Sequence, residues 1–167
     1  MPFQDFVNTH KDASYSKEHA RSQGGMIACK ENNKEYCYEY INRETFLEIR
    51  VDGGLDHDQS RQKCDYLLLN TTRLDTNQTN FHSIFIELKG ADLLKACEQL
   101  LATIKRYAHE LFHSQLHARV VVSKAHGPKI AGLQPYQKKF RDQKCSFVFQ
   151  SQTMTEHTGK DGNPTRK

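Results

Sequence analysis

The strongest constraint on the fold is a strand, a helix and a strand in succession between residues 83 and 123. Residues 83–89 are mostly apolar, and Gly90 follows them. Asp92 then suits a helix N-cap, and one apolar stripe continues to about Phe112. Residues 118–123 form a Val-rich strand. This order predicts a β–α–β crossover, and therefore an α/β fold in which helices flank a mixed sheet.

Other segments supply further elements. Tyr36, Tyr38 and Tyr40 alternate as in a strand. Strands are also predicted at residues 46–51, 64–69 and 145–150, and a short helix near residues 13–22. The predicted organisation is an N-terminal segment at 1–30, a single core domain at 31–152 and a disordered basic tail at 153–167.

Composition limits the functional class only loosely. The 167 residues carry a net charge of +4, which is compatible with a polyanionic partner. No apolar run reaches the roughly 20 residues of a membrane span, and the N-terminus lacks a signal peptide. Five scattered cysteines contain no CxxC pair. We therefore expect a cytoplasmic protein with reduced thiols and no membrane association.

Three charged residues lie on two of the predicted strands. Glu87 and Lys89 are two apart, so the pleat directs both side chains to one face. A hairpin between strands 64–69 and 83–89 could bring Asp65 beside Glu87. Two adjacent carboxylates repel each other unless a cation lies between them, and hard oxygen ligands suit Mg²⁺ or Mn²⁺.

A triplet of the form Asp/Glu-x-Lys is uninformative alone, and Asp142-Gln143-Lys144 is a second example. The context of Glu87-Leu88-Lys89 is more specific, and across residues 46–123 the chain resembles the PD-(D/E)xK nuclease superfamily, whose fold is restriction-endonuclease-like. The resemblance rests on KCDYLLL, FIELKG and the following helix. It implies that Asp65, Glu87 and the Leu88 carbonyl bind Mg²⁺, while Lys89 positions the attacking water.

The sequence departs from the family pattern because Cys64 replaces the usual proline. Many members also carry a glutamate in the first helix, and the sequence does not choose among Glu18, Glu31 and Glu35. Asp52 could add a carboxylate or cap a turn. Gln99 resembles a helix glutamine of many members, although helical geometry predicts that it faces solvent unless the polar face lines the substrate cleft.

One competing motif is His109-Glu110-Leu111-Phe112-His113, which matches the HExxH signature of zinc peptidases. It falls in the last predicted helical turn, and the extended metzincin pattern does not follow it. Histidines at a helix C-terminus also interact favourably with the helix dipole while facing water. The peptidase interpretation is therefore the less favoured one.

The stretch from residue 124 to residue 144 is rich in basic side chains with interleaved aromatic residues. Such segments bind phosphates, although a solvated basic loop has the same composition. The candidate nucleic-acid-binding residues are Lys124, Lys129, Lys138, Lys139, Arg141 and Lys144.

The sequence and the resemblance together predict a Mg²⁺-dependent nuclease, with Mn²⁺ as a substitute and DNA favoured over RNA by family habit only. The alternatives are a non-catalytic nucleic-acid-binding or scaffold domain of the same fold, and the zinc peptidase. The sequence leaves open whether the protein forms a homodimer.

Overall fold

The computed structural model of the protein describes residues 2–41, 43–72, 81–124 and 132–167. The predicted Lys129 lies outside them. The elements are α1 (Pro2–His10), β1 (Ser16–His19), β2 (Gly25–Glu31), β3 (Lys34–Tyr40), β4 (Phe46–Arg50), β5 (Tyr66–Asn70), β6 (Phe81–Lys89), α2 (Leu93–Tyr107), β7 (Ser114–Val122), α3 (Gln134–Asp142), β8 (Cys145–Ser151), β9 (Thr153–Thr158) and β10 (Pro164–Arg166).

The larger sheet has the strand order β1-β4-β5-β6-β7-β8. Strands β4, β5 and β6 are antiparallel neighbours, whereas β6, β7 and β8 are parallel. Helix α2 connects β6 to β7, as the sequence predicts. Asp92 caps this helix by accepting a hydrogen bond from the Lys95 backbone N–H at 3.0 Å. The mixed α/β class is therefore confirmed.

The central strands are buried on both faces, which explains their nearly continuous apolar sequences. Leu67 and Phe85 pack with all three helices on one face. Leu68, Ile84 and Ile86 pack on the opposite face against a second sheet. That sheet has the order β10-β9-β3-β2. Helices thus flank one face of the main sheet rather than both, because the second sheet covers the other.

The prediction of a disordered tail is wrong. Strand β9 pairs in parallel with β3, and β10 pairs with β9. Met154 and Glu156 are almost fully buried, and Glu156 accepts a hydrogen bond from the Tyr36 hydroxyl at 2.7 Å. The polar composition of this segment suggests disorder, but the segment is ordered by its pairing with β3, which lies far earlier in the chain.

Two helix predictions also need correction, and one helix was missed. The N-terminal helix is α1 rather than residues 13–22, where the chain turns and then forms β1. Phe3, Phe6 and Val7 supply its buried side. Helix α2 ends at Tyr107 and not near Phe112. Helix α3 was not predicted because it buries one side chain, Phe140.

None of the helices in the described ranges is long and apolar enough to cross a membrane.

Candidate active site

Asp65 and Glu87 meet where β5 begins and β6 ends. The two strands pair with Tyr66 opposite Ile86. The Asp65 backbone N–H donates to the Ile86 carbonyl at 3.1 Å, and the Leu88 N–H donates to Asp65 Oδ2 at 2.8 Å. A side-chain carboxylate thus continues the hydrogen-bond ladder beyond the end of β5. The hairpin arrangement expected from the sequence is present.

The residue before Asp65 fixes the start of β5 against α2. The Cys64 backbone N–H donates to Thr103 Oγ1 at 2.8 Å, and both residues are fully buried. A proline has no N–H and could not form this hydrogen bond. This contact gives a physical reason for Cys64 at the position where the resemblance leads us to expect proline.

Glu87 is only 2% exposed, and its Oε2 finds no hydrogen-bond partner among the residues that the structure describes. Burial raises the pKa of this carboxyl to about 9, and the nearby Asp65 charge adds to the increase, whereas Lys89 opposes it. A carboxylate in such surroundings is costly unless it is protonated or bound by a cation.

Asp65 is in a similar condition. Burial raises its pKa to about 7, although the hydrogen bond from the Leu88 N–H favours the charged form. The nearby charge of Glu31 also raises this pKa. Three carboxyl groups thus lie together with an excess of negative charge.

Glu31 is the residue that sequence reasoning left unassigned. It ends β2, and the next two residues, Asn32 and Asn33, have positive φ angles of 46° and 64°. This tight hairpin turn holds Glu31 near both Asp65 and Glu87. The Asn32-Asn33 pair is a local signal for a turn, but no local signal showed that the second sheet brings Glu31 to Asp65. Glu35 instead pairs with Lys30 at 3.4 Å, and Glu18 is exposed on β1.

Lys89 and Asp52 lie at the border of this cluster. Lys89 is half-buried at the end of β6, and its charge favours ionised Glu87. Asp52 lies in a turn, where the Gly53 N–H donates to the Asp56 carbonyl. Its Oδ1 is 3.6 Å from the nearly buried Lys63 Nζ. Asp52 thus has an ion-pair partner already, while its charge still reaches Asp65.

Gln99 does not simply face solvent. It is half-buried, and its Nε2 donates to the Lys63 carbonyl at 3.0 Å. Its Oε1 is buried without a hydrogen-bond partner in the described part of the chain. The glutamine therefore helps to hold the segment that leads into Asp65.

The carboxyl groups do not form a finished metal-binding group. Across the described ranges, no three Asp, Glu, His or Cys side chains are arranged to hold a metal ion. The oxygen atoms of these carboxyl groups are still the hard ligands that Mg²⁺ and Mn²⁺ prefer. Glu87 Oε2, which has no hydrogen-bond partner among the described residues, is free to serve as such a ligand.

The HExxH segment lacks the helical geometry that its zinc-binding form needs. Helix α2 has already ended, and residues 108–113 form turns. His109 is exposed, whereas Leu111 is fully buried. The two histidines are therefore not held at successive turns of one helix, and the helix-based interpretation of this motif is wrong.

The basic residues lie mostly on or beside α3. Lys138 pairs with Asp142 at 2.7 Å, and the Lys139 ammonium lies 5.2 Å from the ring centroid of Tyr136. Lys124, Arg141 and Lys144 are exposed. Their arrangement is compatible with phosphate binding and equally with a solvated surface.

A second polar cluster lies towards the other end of β6. His82 Nδ1 is 2.9 Å from His117 Nε2, and His117 Nδ1 is 2.8 Å from Ser146 Oγ. Burial lowers the pKa of His117 to about 3. Each of these contacts satisfies a polar group between the two sheets, so we interpret the row as a neutral structural network.

Comparisons with known proteins leave the geometry as the basis for a functional conclusion. No protein-family model, no curated protein and no solved structure matches the chain.

Proposed function

We propose that the protein is a metal-dependent nuclease with a restriction-endonuclease-like core, and that Asp65, Glu87 and Lys89 form its active site. The observation that supports this most strongly is the partnerless, buried Oε2 of Glu87 beside the Asp65 carboxylate, within the part of the chain that the structure describes. Such a pair is destabilising in an ordinary salt-bridge cluster and favourable around a divalent cation.

The order of elements supports the same proposal. The antiparallel strands β4, β5 and β6 precede α2, and β7 then lies parallel to β6. The resemblance seen in the sequence depends on this succession, with the aspartate and the glutamate on neighbouring strands.

The residues have distinct roles in the proposed reaction. Asp65 and Glu87 would hold Mg²⁺ or Mn²⁺, with the Leu88 carbonyl as a further oxygen ligand and Glu31 as a nearby third carboxylate. When bound, the metal would polarise the phosphate and lower the pKa of the attacking water. Lys89 would orient that water and offset the negative charge that develops on the phosphoryl oxygens.

Loading the site would also change the proton content of the cluster. The metal-free carboxyl groups have raised pKa values because they are buried together. A divalent cation favours their ionised forms, so its binding should release protons at neutral pH. This release is measurable by calorimetry in buffers of different ionisation enthalpy.

The test is a cleavage assay on plasmid DNA, single-stranded DNA and RNA with Mg²⁺, Mn²⁺, Ca²⁺ or EDTA. We expect cleavage with Mg²⁺ and Mn²⁺, and none with Ca²⁺ or EDTA. Binding of nucleic acid without turnover in Mn²⁺ would instead favour a non-catalytic domain. DNA as the preferred substrate, a homodimer and a cytoplasmic location also stay predictions.

A further inference from the structure

Beside the candidate site, an arginine covers a tyrosine ring. The Arg50 guanidinium carbon is 5.9 Å from the ring centroid of Tyr66, and the two residues are direct partners in the pairing of β4 with β5. Arg50 Nε also donates to the Asp52 carbonyl at 3.1 Å, which limits the freedom of the side chain. The guanidinium is thus held against the aromatic face.

The position of this pair links it to the proposed chemistry. Tyr66 follows Asp65 directly, and in the sheet it pairs with Ile86, the residue before Glu87. The ring is half-buried against the core between the two sheets. Arg50 is exposed, and it has no ion-pair partner among the described residues.

These properties match a known way of binding nucleobases. Aromatic rings and guanidinium planes stack on bases, and stacking tolerates any sequence because every base has a π-face. An exposed arginine can also contact a phosphate. In a duplex each base already stacks on its neighbours, so such a surface becomes useful when a base is unpaired.

We propose that Tyr66 and Arg50 form a stacking platform for one unpaired nucleobase next to the reactive phosphate, and that the substrate is single-stranded nucleic acid or an unpaired segment of a duplex. This inference rests on the proposed nuclease function for its meaning, but the platform can be tested without cleavage.

The experiment uses the full chain and a single-stranded oligodeoxynucleotide that carries 2-aminopurine, whose fluorescence falls when it stacks. Ca²⁺ replaces Mg²⁺, so that binding is read without turnover. The expected result is quenching by the wild type and tighter binding of the single strand than of its duplex. Tyr66→Leu should lose the quenching and weaken single-strand binding by roughly five- to a hundredfold.

Three further variants keep the result interpretable. Tyr66→Phe retains the ring and should behave like the wild type. Arg50→Gln changes an exposed side chain and should lose part of the quenching with the fold intact. Tyr136→Leu is the matched control, because Tyr136 lies under Lys139 in a similar cation–aromatic pair on α3. It should leave the quenching unchanged.

The platform is overturned if Tyr66→Leu keeps both the quenching and the affinity, if Tyr136→Leu removes the quenching, or if the wild type binds duplex at least as tightly as the single strand. Failure of the nuclease proposal looks different: the oligonucleotide would stack on Tyr66 in Ca²⁺ but remain uncut in Mg²⁺ and Mn²⁺. Cleavage without stacking would reject the platform alone.

Discussion

At the scale of single residues, the candidate site is defined by carboxyl groups that the fold keeps from water. Asp65 and Glu87 were identifiable from the sequence because an apolar strand rarely carries a charge without a reason. Glu31 was not, because its contribution depends on a second sheet that no local pattern predicts. The three residues form an excess of negative charge only because the fold brings their carboxyl groups together.

This excess of negative charge predicts how the stability of the metal-free protein depends on pH. The ordinary pKa values of Asp65 and Glu87 are 3.8 and 4.5, and the folded values are about 7 and about 9. The folded state therefore retains protons that the unfolded state has lost. The stabilisation is fully present below the ordinary values and is lost as the pH rises through the folded ones.

In EDTA, we expect the melting temperature of the wild type to fall as the pH rises from 5 to 9. A Glu87→Gln variant gives the background, and its curve should be flatter. Mg²⁺ should restore stability at the upper end of this range. Circular dichroism melts across pH check this, with the exposed Glu18→Gln as the control. Parallel curves for the wild type and Glu87→Gln would contradict the assignment of the shift to Glu87.

At the scale of elements, the long apolar segments were predictable and the short polar ones were not. Strands β5 and β6 and helix α2 carry their own periodic patterns. Strand β9 does not, since Thr153–Thr158 is polar and becomes ordered only through its pairing with β3. In α1 a usable signal existed, because Phe3, Phe6 and Val7 have helical spacing.

Strand β9 should be essential for stability because it carries the buried partner of Arg119. Arg119 Nε lies 2.8 Å from Glu156 Oε1, and both side chains are at most 2% exposed. Glu156→Gln leaves a buried charge without its partner, which costs about 3–5 kcal/mol.

Urea unfolding would measure this destabilisation. The matched control is Lys138→Gln, which breaks the exposed Lys138–Asp142 pair and should cost at most about 0.5 kcal/mol. Equal effects of the two substitutions would show that the Arg119–Glu156 ion pair does not hold β9 in place.

The end of α2 at Tyr107 gives a prediction for the peptidase alternative. Changing both His109 and His113 to Ala should leave nuclease activity and metal content unchanged, since neither residue lies on a helix that could align them as ligands. Elemental analysis of the purified protein checks this. Zinc that is present in the wild type and absent from the double variant would revive the peptidase.

At the scale of the whole molecule, the two sheets and the helical layer place the carboxylate cluster at one end of β5 and β6, with basic residues on α3. If α3 binds the nucleic-acid backbone, affinity in Ca²⁺ should fall steeply with salt concentration. Changing Lys138, Lys139 and Arg141 to Gln should flatten the slope by about 0.7–0.9 for each phosphate that is no longer neutralised. An unchanged slope would identify α3 as a solvated surface.

The central claim is that Glu87-Leu88-Lys89 is an active-site triplet, and the chain supplies its own control in Asp142-Gln143-Lys144. The decisive measurement is the cleavage rate of single-stranded DNA in Mg²⁺ by four proteins: the wild type, Glu87→Gln, Lys89→Ala and Asp142→Asn. We expect the rate to fall by at least about a hundredfold in the two β6 variants, because metal binding and charge stabilisation each contribute several kcal/mol. Asp142→Asn, which changes the acid of the second triplet, should retain the wild-type rate. Wild-type cleavage by Glu87→Gln, or no cleavage by any of the four proteins, would contradict the claim.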